Sequence, residues 1–404
     1  MKAIVLAGGY GTRLFPITLR TPKPLLPVAG KPILQYTLEL LRDAGITDIV
    51  VSLKENQGKI ENCLSDGTQM GVKLSYVYEP EVPEAKKLGS VGAINFVLSK
   101  IKTSGDVLVI GGDNFVVGLN IKEFANLHRN KGAHASMALF NLHTKDQARH
   151  FGVAKLDNEG KIVQFQEKPT PEEAVSKLAS TAIYALNNAF IQEHLPAYAK
   201  MKQAKGEKAD KIGDLWAHFV SDLHLLGHPF EGMWGDIGNC EGYLETNRNA
   251  FDYFSKEKAK FAGIIGPKAR IAKTAEIAHP VIIEDNCVIS DGAKIGPYVH
   301  IMRGSIIGAR TKVSNSITFE RCRIGNNCKI ENSIIDGRVE IGDNSRIEDF
   351  SMIGFECKIG AFSAVGDAKI FPKISVQEKS IIQGDLTNNL TPSSRELINS
   401  CYWQ

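Results

Sequence analysis

The chain has 404 residues, 43% hydrophobic and 23% charged, with 48 Lys+Arg against 45 Asp+Glu for a formal net charge of +3. That is ordinary globular composition with enough apolar material for a large core, and the length makes two domains the natural expectation. The near balance of charge, without a long basic tract, argues against nucleic acid or an anionic membrane as partner.

In chain order, Lys2–Ala7 reads as a short apolar strand that runs straight into glycines, with no long apolar region of a signal peptide before them. Pro32–Ala44 has helical apolar spacing, Ile49–Leu53 and Val107–Gly111 read as strands apolar on both faces, and Ile121–Asn130 reads as a helix. The stretches from about 85 to 95 and from 140 to 185 are less regular, and strands with substrate loops are expected there. The alternation predicts an α/β fold, a Rossmann-like, mixed but mostly parallel sheet with helices on both faces. No apolar run approaches the ~18 residues of a membrane span.

From Ile265 the rhythm changes. Steps of six fall on Ile265, Ile271, Ile277, Ile283, Ile289, Ile295, Ile301 and Ile307, then Val313. After a slip the count resumes at Ile324 and Ile330, and after another it runs from Ile335 through Ile341, Ile347, Ile353 and Ile359 to Val365. A period of six is the signature of a parallel β-helix of hexapeptides, three hexads to a coil, with the branched side chains stacked inside. Ala250–Phe261 predicts a helix joining the halves, and the tail after 385 leaves the period and is expected to form a capping helix.

Seven cysteines (63, 240, 287, 322, 328, 357, 401) are scattered without a CxxC pair. An odd, unpatterned set predicts no disulfide framework, a reducing cytoplasmic home and no metal site among these thiols.

The densest motif is Leu6-Ala7-Gly8-Gly9-Tyr10-Gly11-Thr12-Arg13-Leu14, followed by Thr21-Pro22-Lys23-Pro24. A strand runs into a loop with three glycines in four residues, where backbone can approach a ligand and N–H groups can hold phosphate oxygens; Arg13 and Lys23 add positive charge. The spacing fits neither a dinucleotide fingerprint nor a Walker loop. LAGGYGTRLFPIT with TPKPLLPVAGKPILQY resembles the signature of the sugar-1-phosphate nucleotidyltransferases, many of which carry a C-terminal left-handed β-helix, and the resemblance covers nearly the whole chain.

The resemblance implies a nucleotide-binding set of Leu6, Ala7, Gly8, Gly9, Gly11, Thr12, Arg13, Gly89 and Gly112, with Lys23 reaching phosphate oxygens. Asp113 in Gly112-Asp113-Asn114 and Asp236 in Trp234-Gly235-Asp236-Ile237-Gly238 would hold Mg²⁺. Gly152, Glu167 and Lys168 of the Glu-Lys-Pro motif, and Thr181, would take the sugar phosphate. The chain departs from the family in having Ala182 where glycine is frequent, Ser180 where asparagine is frequent, and Ser90-Val91 where Thr-Ala is usual. Implied domains are a catalytic one over 1–239, a helical linker over 240–262, the β-helix over 263–385 and a tail over 386–404.

In the reaction so implied, an already anionic sugar phosphate attacks the α-phosphorus of a nucleoside triphosphate. No general base is required, only positioning and neutralisation of two polyanions. Catalysis would therefore rest on Arg13, Lys23, Asp113 and Asp236 with Mg²⁺, which prefers one or two carboxylates plus phosphates and waters. A pyrimidine triphosphate (dTTP or UTP) with glucose 1-phosphate is favoured, with GTP and mannose 1-phosphate close behind. Acyl transfer by the β-helix would need a histidine base, for which only His279 and His300 lie beyond residue 260, and a non-catalytic regulatory homologue is the third reading. The flat faces of the β-helix predict a homo-oligomer.

Overall fold

The computed structural model describes residues 1–80, 88–257 and 263–387. Contacts divide the chain into two units: residues 1–9 with 33–234, and residues 10–32 with 235–404.

The first unit is built on a nine-stranded sheet. Its centre is Lys2–Leu6, flanked in parallel by Asp48–Lys54 and Val107–Gly111, with Lys73–Glu79 parallel beyond Asp48–Lys54. Leu178–Leu186 pairs antiparallel with Val107–Gly111 and joins Ala135–Asn141 and Gly152–Leu156 to the sheet. Leu225–Phe230 and Ile162–Glu167 complete it. Ile4, Val50, Val107 and Val109 are fully buried because this sheet centre is covered on both faces. The helix Ile33–Asp43 buries Ile33, Leu34, Tyr36, Thr37, Leu38 and Leu41, the spacing of one helical face. Asn120 starts the helix Ile121–Asn130 by accepting a hydrogen bond from the Glu123 N–H.

Where strands and loops were expected around 85 to 95, the described residues form a helix, Gly89–Lys100. Two glycines and a serine in GSVGAINFVLSK blur the pattern, yet Val91, Ala93, Ile94 and Val97 are buried at helical spacing. From 140 to 185 the irregular rhythm resolves into the strands Gly152–Leu156, Ile162–Glu167 and Leu178–Leu186.

The second unit holds three parallel sheets of seven strands each, the arrangement of a left-handed β-helix. Each coil advances by 18 residues where Ile265 pairs with Ile283 and Ile283 with Ile301. Val281, Ile283, Val299, Ile301, Ile335, Ile353 and Ile370 belong to one continuous apolar column. The joining helix starts ten residues before its expected beginning, at Cys240, and runs to Glu257. Residues 258–261 of the expected helix and 388–404 of the expected capping helix lie outside the described residues.

Candidate active site

In the first unit, the strand Lys2–Leu6 delivers Ala7, Gly8 and Gly9 to its carboxyl end, where parallel α/β sheets present ligand loops. The Ala7 N–H donates to the Ser52 carbonyl at 2.9 Å, and the Gly112 N–H donates to the Leu6 carbonyl at 2.8 Å. Gln57 Nε2 donates to the Gly9 carbonyl at 3.0 Å. Beneath Gly8 sits a carboxylate: a Cβ there would lie 2.6 Å from Glu79 Oε1. Glu79 is itself buried, accepting from Ser52 Oγ at 2.8 Å and pairing with Lys54 Nζ at 2.5 Å. The sequence reading missed this floor. Its signal is a charged residue at the end of each of two adjacent apolar strands, Asp48–Lys54 and Lys73–Glu79.

Asp113 follows the strand Val107–Gly111 and is half-buried. Its neighbour Asn114 is locked, Nδ2 donating to the Thr181 carbonyl and Oδ1 accepting from Trp234 Nε1 at 3.0 Å. Thr181 is fully buried, and its hydroxyl donates to the Ala138 carbonyl at 2.9 Å. Next to it Ala182 has φ +55, the left-handed region that favours glycine, and a Cβ on Gly111 would meet its methyl at 3.7 Å.

Glu167 pairs in register with Gly152. A Cβ on Gly152 would lie 2.9 Å from Glu167 Oε2, and one on Gly213 only 2.0 Å from it. Two glycines thus make room for one carboxylate, and burial pushes it above the usual carboxylate range, partly offset by Lys168. Lys168 is exposed, its Nζ 4.0 Å from Glu167 Oε1. Phe151 and Trp234 pack edge to face, with centroids 4.6 Å apart, beside this strand pair. Gly89 opens the helix Gly89–Lys100 at φ +63, and a Cβ there would strike the Asp210 backbone at 2.4 Å.

The second unit carries the rest. Gly11, at φ +65, accepts from Thr18 Oγ1 at 2.9 Å, and a Cβ on it would meet the Lys23 Cβ at 3.3 Å. Thr12 and Arg13 lie on the exposed turn that follows. Lys23 is buried, with its Nζ 3.7 Å from Asp236 Oδ1. A Cβ on Gly238 would lie 3.1 Å from Arg13 Nη2 and 3.0 Å from Asp236 Oδ2, so Arg13 and Asp236 meet over one bare glycine while Lys23 approaches the other oxygen of the same carboxylate. The long helix Cys240–Glu257 steadies this segment: Asn247 Oδ1 accepts the Ala29 N–H at 2.8 Å and Tyr243 donates to the Pro27 carbonyl at 2.7 Å.

Within the second unit, two cations beside one carboxylate suit an anionic phosphate group; within the first, a glycine loop and a half-buried carboxylate each follow a strand of the parallel sheet. Among the described residues, no three His, Cys, Asp or Glu side chains converge to hold a metal ion on their own. His300, on which acyl transfer would rest, is fully buried with Nε2 2.9 Å from Glu284 Oε1.

Residues 2–252 match the nucleotidyl transferase family model, and residues 277–386 match the GMPPB C-terminal domain. The chain is a sugar-1-phosphate nucleotidyltransferase family member. It is 31% identical over 347 residues to the UTP–glucose-1-phosphate uridylyltransferase of Synechocystis sp., covering 80% of this chain and 84% of that one. A candidate mannose-1-phosphate guanyltransferase of Sulfolobus acidocaldarius is 32% identical over 296 residues, 73% of this chain and 74% of that one. A candidate glucose-1-phosphate thymidylyltransferase of Bacillus anthracis, crystallised with sucrose, superposes with a TM-score of 0.54 at 28% identity, covering 62% of this chain and 95% of that chain. Membership makes the protein an enzyme class that joins nucleotides to sugar 1-phosphates, and among the described residues no helix is long and apolar enough to cross a membrane.

Proposed function

We propose that the protein makes a nucleoside-diphosphate sugar and pyrophosphate from dTTP or UTP and glucose 1-phosphate, in the cytoplasm. A phosphate oxygen of the sugar 1-phosphate forms a bond to the α-phosphorus as the bond to the β-phosphate oxygen breaks, and pyrophosphate departs with that electron pair. The observation that carries the reading is the grouping of Arg13 and Lys23 about the Asp236 carboxylate over Gly238.

In this reading Gly8, Gly9 and Gly11 let backbone close on the triphosphate, and Arg13 and Lys23 neutralise the leaving pyrophosphate. Lys168 takes the attacking phosphate, while Glu167 accepts hydrogen bonds from sugar hydroxyls in the slot left by Gly152 and Gly213. Asp113 and Asp236 supply hard carboxylate oxygens of the kind Mg²⁺ takes alongside phosphates and water, and both are partly open to solvent. When bound, the ion would withdraw charge from the phosphate oxygens.

The match of residues 277–386 to the GMPPB C-terminal domain favours GTP with mannose 1-phosphate as the second reading. A matrix of dTTP, UTP, GTP and ATP against glucose, mannose, galactose and glucosamine 1-phosphates, read by pyrophosphate release, decides between them. Lys23→Met should lower turnover by ~10²-fold or more, as loss of one preorganised charge contact does. If wild type releases no more pyrophosphate than Asp113→Ala or a protein-free blank, the reading fails and a regulatory homologue replaces it; equal release well above the blank removes Asp113 alone from the catalytic set.

A further inference from the structure

One corner of the β-helix carries charge that nucleotidyl transfer leaves unused. A cavity of ≈ 420 Å³ opens there, within the usual size of a small-ligand site, lined by Arg20, Arg303, Arg321 and Arg338 with Glu284 and Glu320. Both carboxylates are already engaged. Glu284 meets His300 Nε2 at 2.9 Å and accepts the Arg303 N–H at 3.0 Å, and Glu320 is bound by Arg20. Arg338 pairs with Glu356 at 3.0 Å. Arg303 and Arg321 are exposed, and among the described residues neither guanidinium forms a salt bridge.

Coil stacking makes this costly. Arg323 is in register with Glu340, so Arg321 and Arg338 occupy the same corner of successive coils. The Arg321 N–H donates to the Arg303 carbonyl at 3.0 Å, which ties the third arginine to the same ladder. Strands stacked ~4.8 Å apart set like charges close enough to repel. Arg20 is the fourth: besides Glu320 it reaches Asp336 Oδ1 at 3.4 Å and lies 4.3 Å from the centre of the Phe355 ring. Asp336 is fully buried, its Oδ2 has no hydrogen-bond partner, and burial pushes its carboxyl up to about 7. Arg20 therefore rests partly on an acid that holds its charge weakly at neutral pH.

We propose that this corner is a second, non-catalytic binding site for a small phosphorylated anion. Phosphate answers planar guanidiniums with bidentate hydrogen bonds and would relieve the repulsion between the stacked arginines. Arg20 belongs to the 10–32 segment that also carries Arg13 and Lys23.

The test is calorimetric titration of the full-length chain with inorganic pyrophosphate at low salt, compared with an Arg303→Gln/Arg321→Asn double variant. Asparagine tolerates the left-handed backbone that Arg321 adopts at φ +59, and both side chains are exposed, so the fold should persist; circular dichroism checks it. Wild type should show two classes of binding, and the double variant should lose one of them by at least about tenfold in affinity. Lys23→Met should remove the other class instead. If Lys23→Met binds like wild type while the double variant loses a class, the corner stands and the assignment of Lys23 to pyrophosphate fails. Identical isotherms for wild type and the double variant overturn the proposal, as does a single class in wild type that the double variant retains.

Discussion

Under the glycine loop, Lys54 and Glu79 form a buried ion pair. Both partners are nearly out of water, at 7% and 4% exposure, so each charge relies on the other. Lys54→Met strands the Glu79 carboxylate with Ser52 as its remaining side-chain donor among the described residues. Breaking a buried pair this way costs ~3–5 kcal/mol, whereas replacing both partners is far milder. Urea unfolding should therefore show Lys54→Met strongly destabilised and Lys54→Met/Glu79→Gln largely recovered; equal losses would mean that packing, and not charge, sets the effect. This pair was illegible in the sequence because its members lie 25 residues apart and belong to no motif. Arg13, Lys23, Asp113 and Asp236 could be singled out in the sequence because each sits in a contiguous run rich in glycine or proline, and of these the structure sets Lys23 Nζ 3.7 Å from Asp236 Oδ1. Ala182 is an intermediate case: the resemblance marks a position where glycine is frequent, and φ +55 gives the reason.

At the scale of elements, the hexapeptide rhythm was read correctly from Ile265 to Val313, and its slips have a structural cause. Ile301 pairs with Thr318 and Thr318 with Ile335, so two successive coils are 17 residues long and one inward position is threonine. Counting isoleucines in sixes steps over it, although threonine keeps the β-branch that the column needs. Thr318 is fully buried, and its Oγ1 has no hydrogen-bond partner. A buried, unsatisfied hydroxyl costs ~1–3 kcal/mol, so Thr318→Val, nearly the same shape without the hydroxyl, should stabilise the β-helix by ~1 kcal/mol. A higher urea midpoint at unchanged slope is the expected result; a lower midpoint would mean the hydroxyl finds a partner. The helix Gly89–Lys100 was lost for the opposite reason, since its glycines weaken a pattern that burial of Val91, Ile94 and Val97 restores.

For the whole molecule, the question is what covers the ends of the solenoid. Stacked coils satisfy one another, but among the described residues the first strand of each sheet and the last strands Ser375–Val376 and Ile381–Gln383 have a strand neighbour on one side alone, whereas Leu386 bridges Ile370 beyond the last strand of the third sheet. At the first, Gly263–Ile265, Ile264 and Ile265 are 51% and 44% exposed; at the last, Ile381–Gln383, Ile381 is 82% exposed. Large apolar side chains at unpaired strand edges favour association, and a second copy of the same chain carries the same edges. The protein is therefore expected to be a homo-oligomer through its β-helix, and light scattering should give a multiple of 44.2 kDa. Ile381→Lys places a charge on the terminal edge without touching the coil interior, so it should lower the apparent mass at a given concentration while leaving pyrophosphate release intact. A wild-type particle of 44.2 kDa at every concentration would reject the assembly and leave these edges as plain solvent-facing surface.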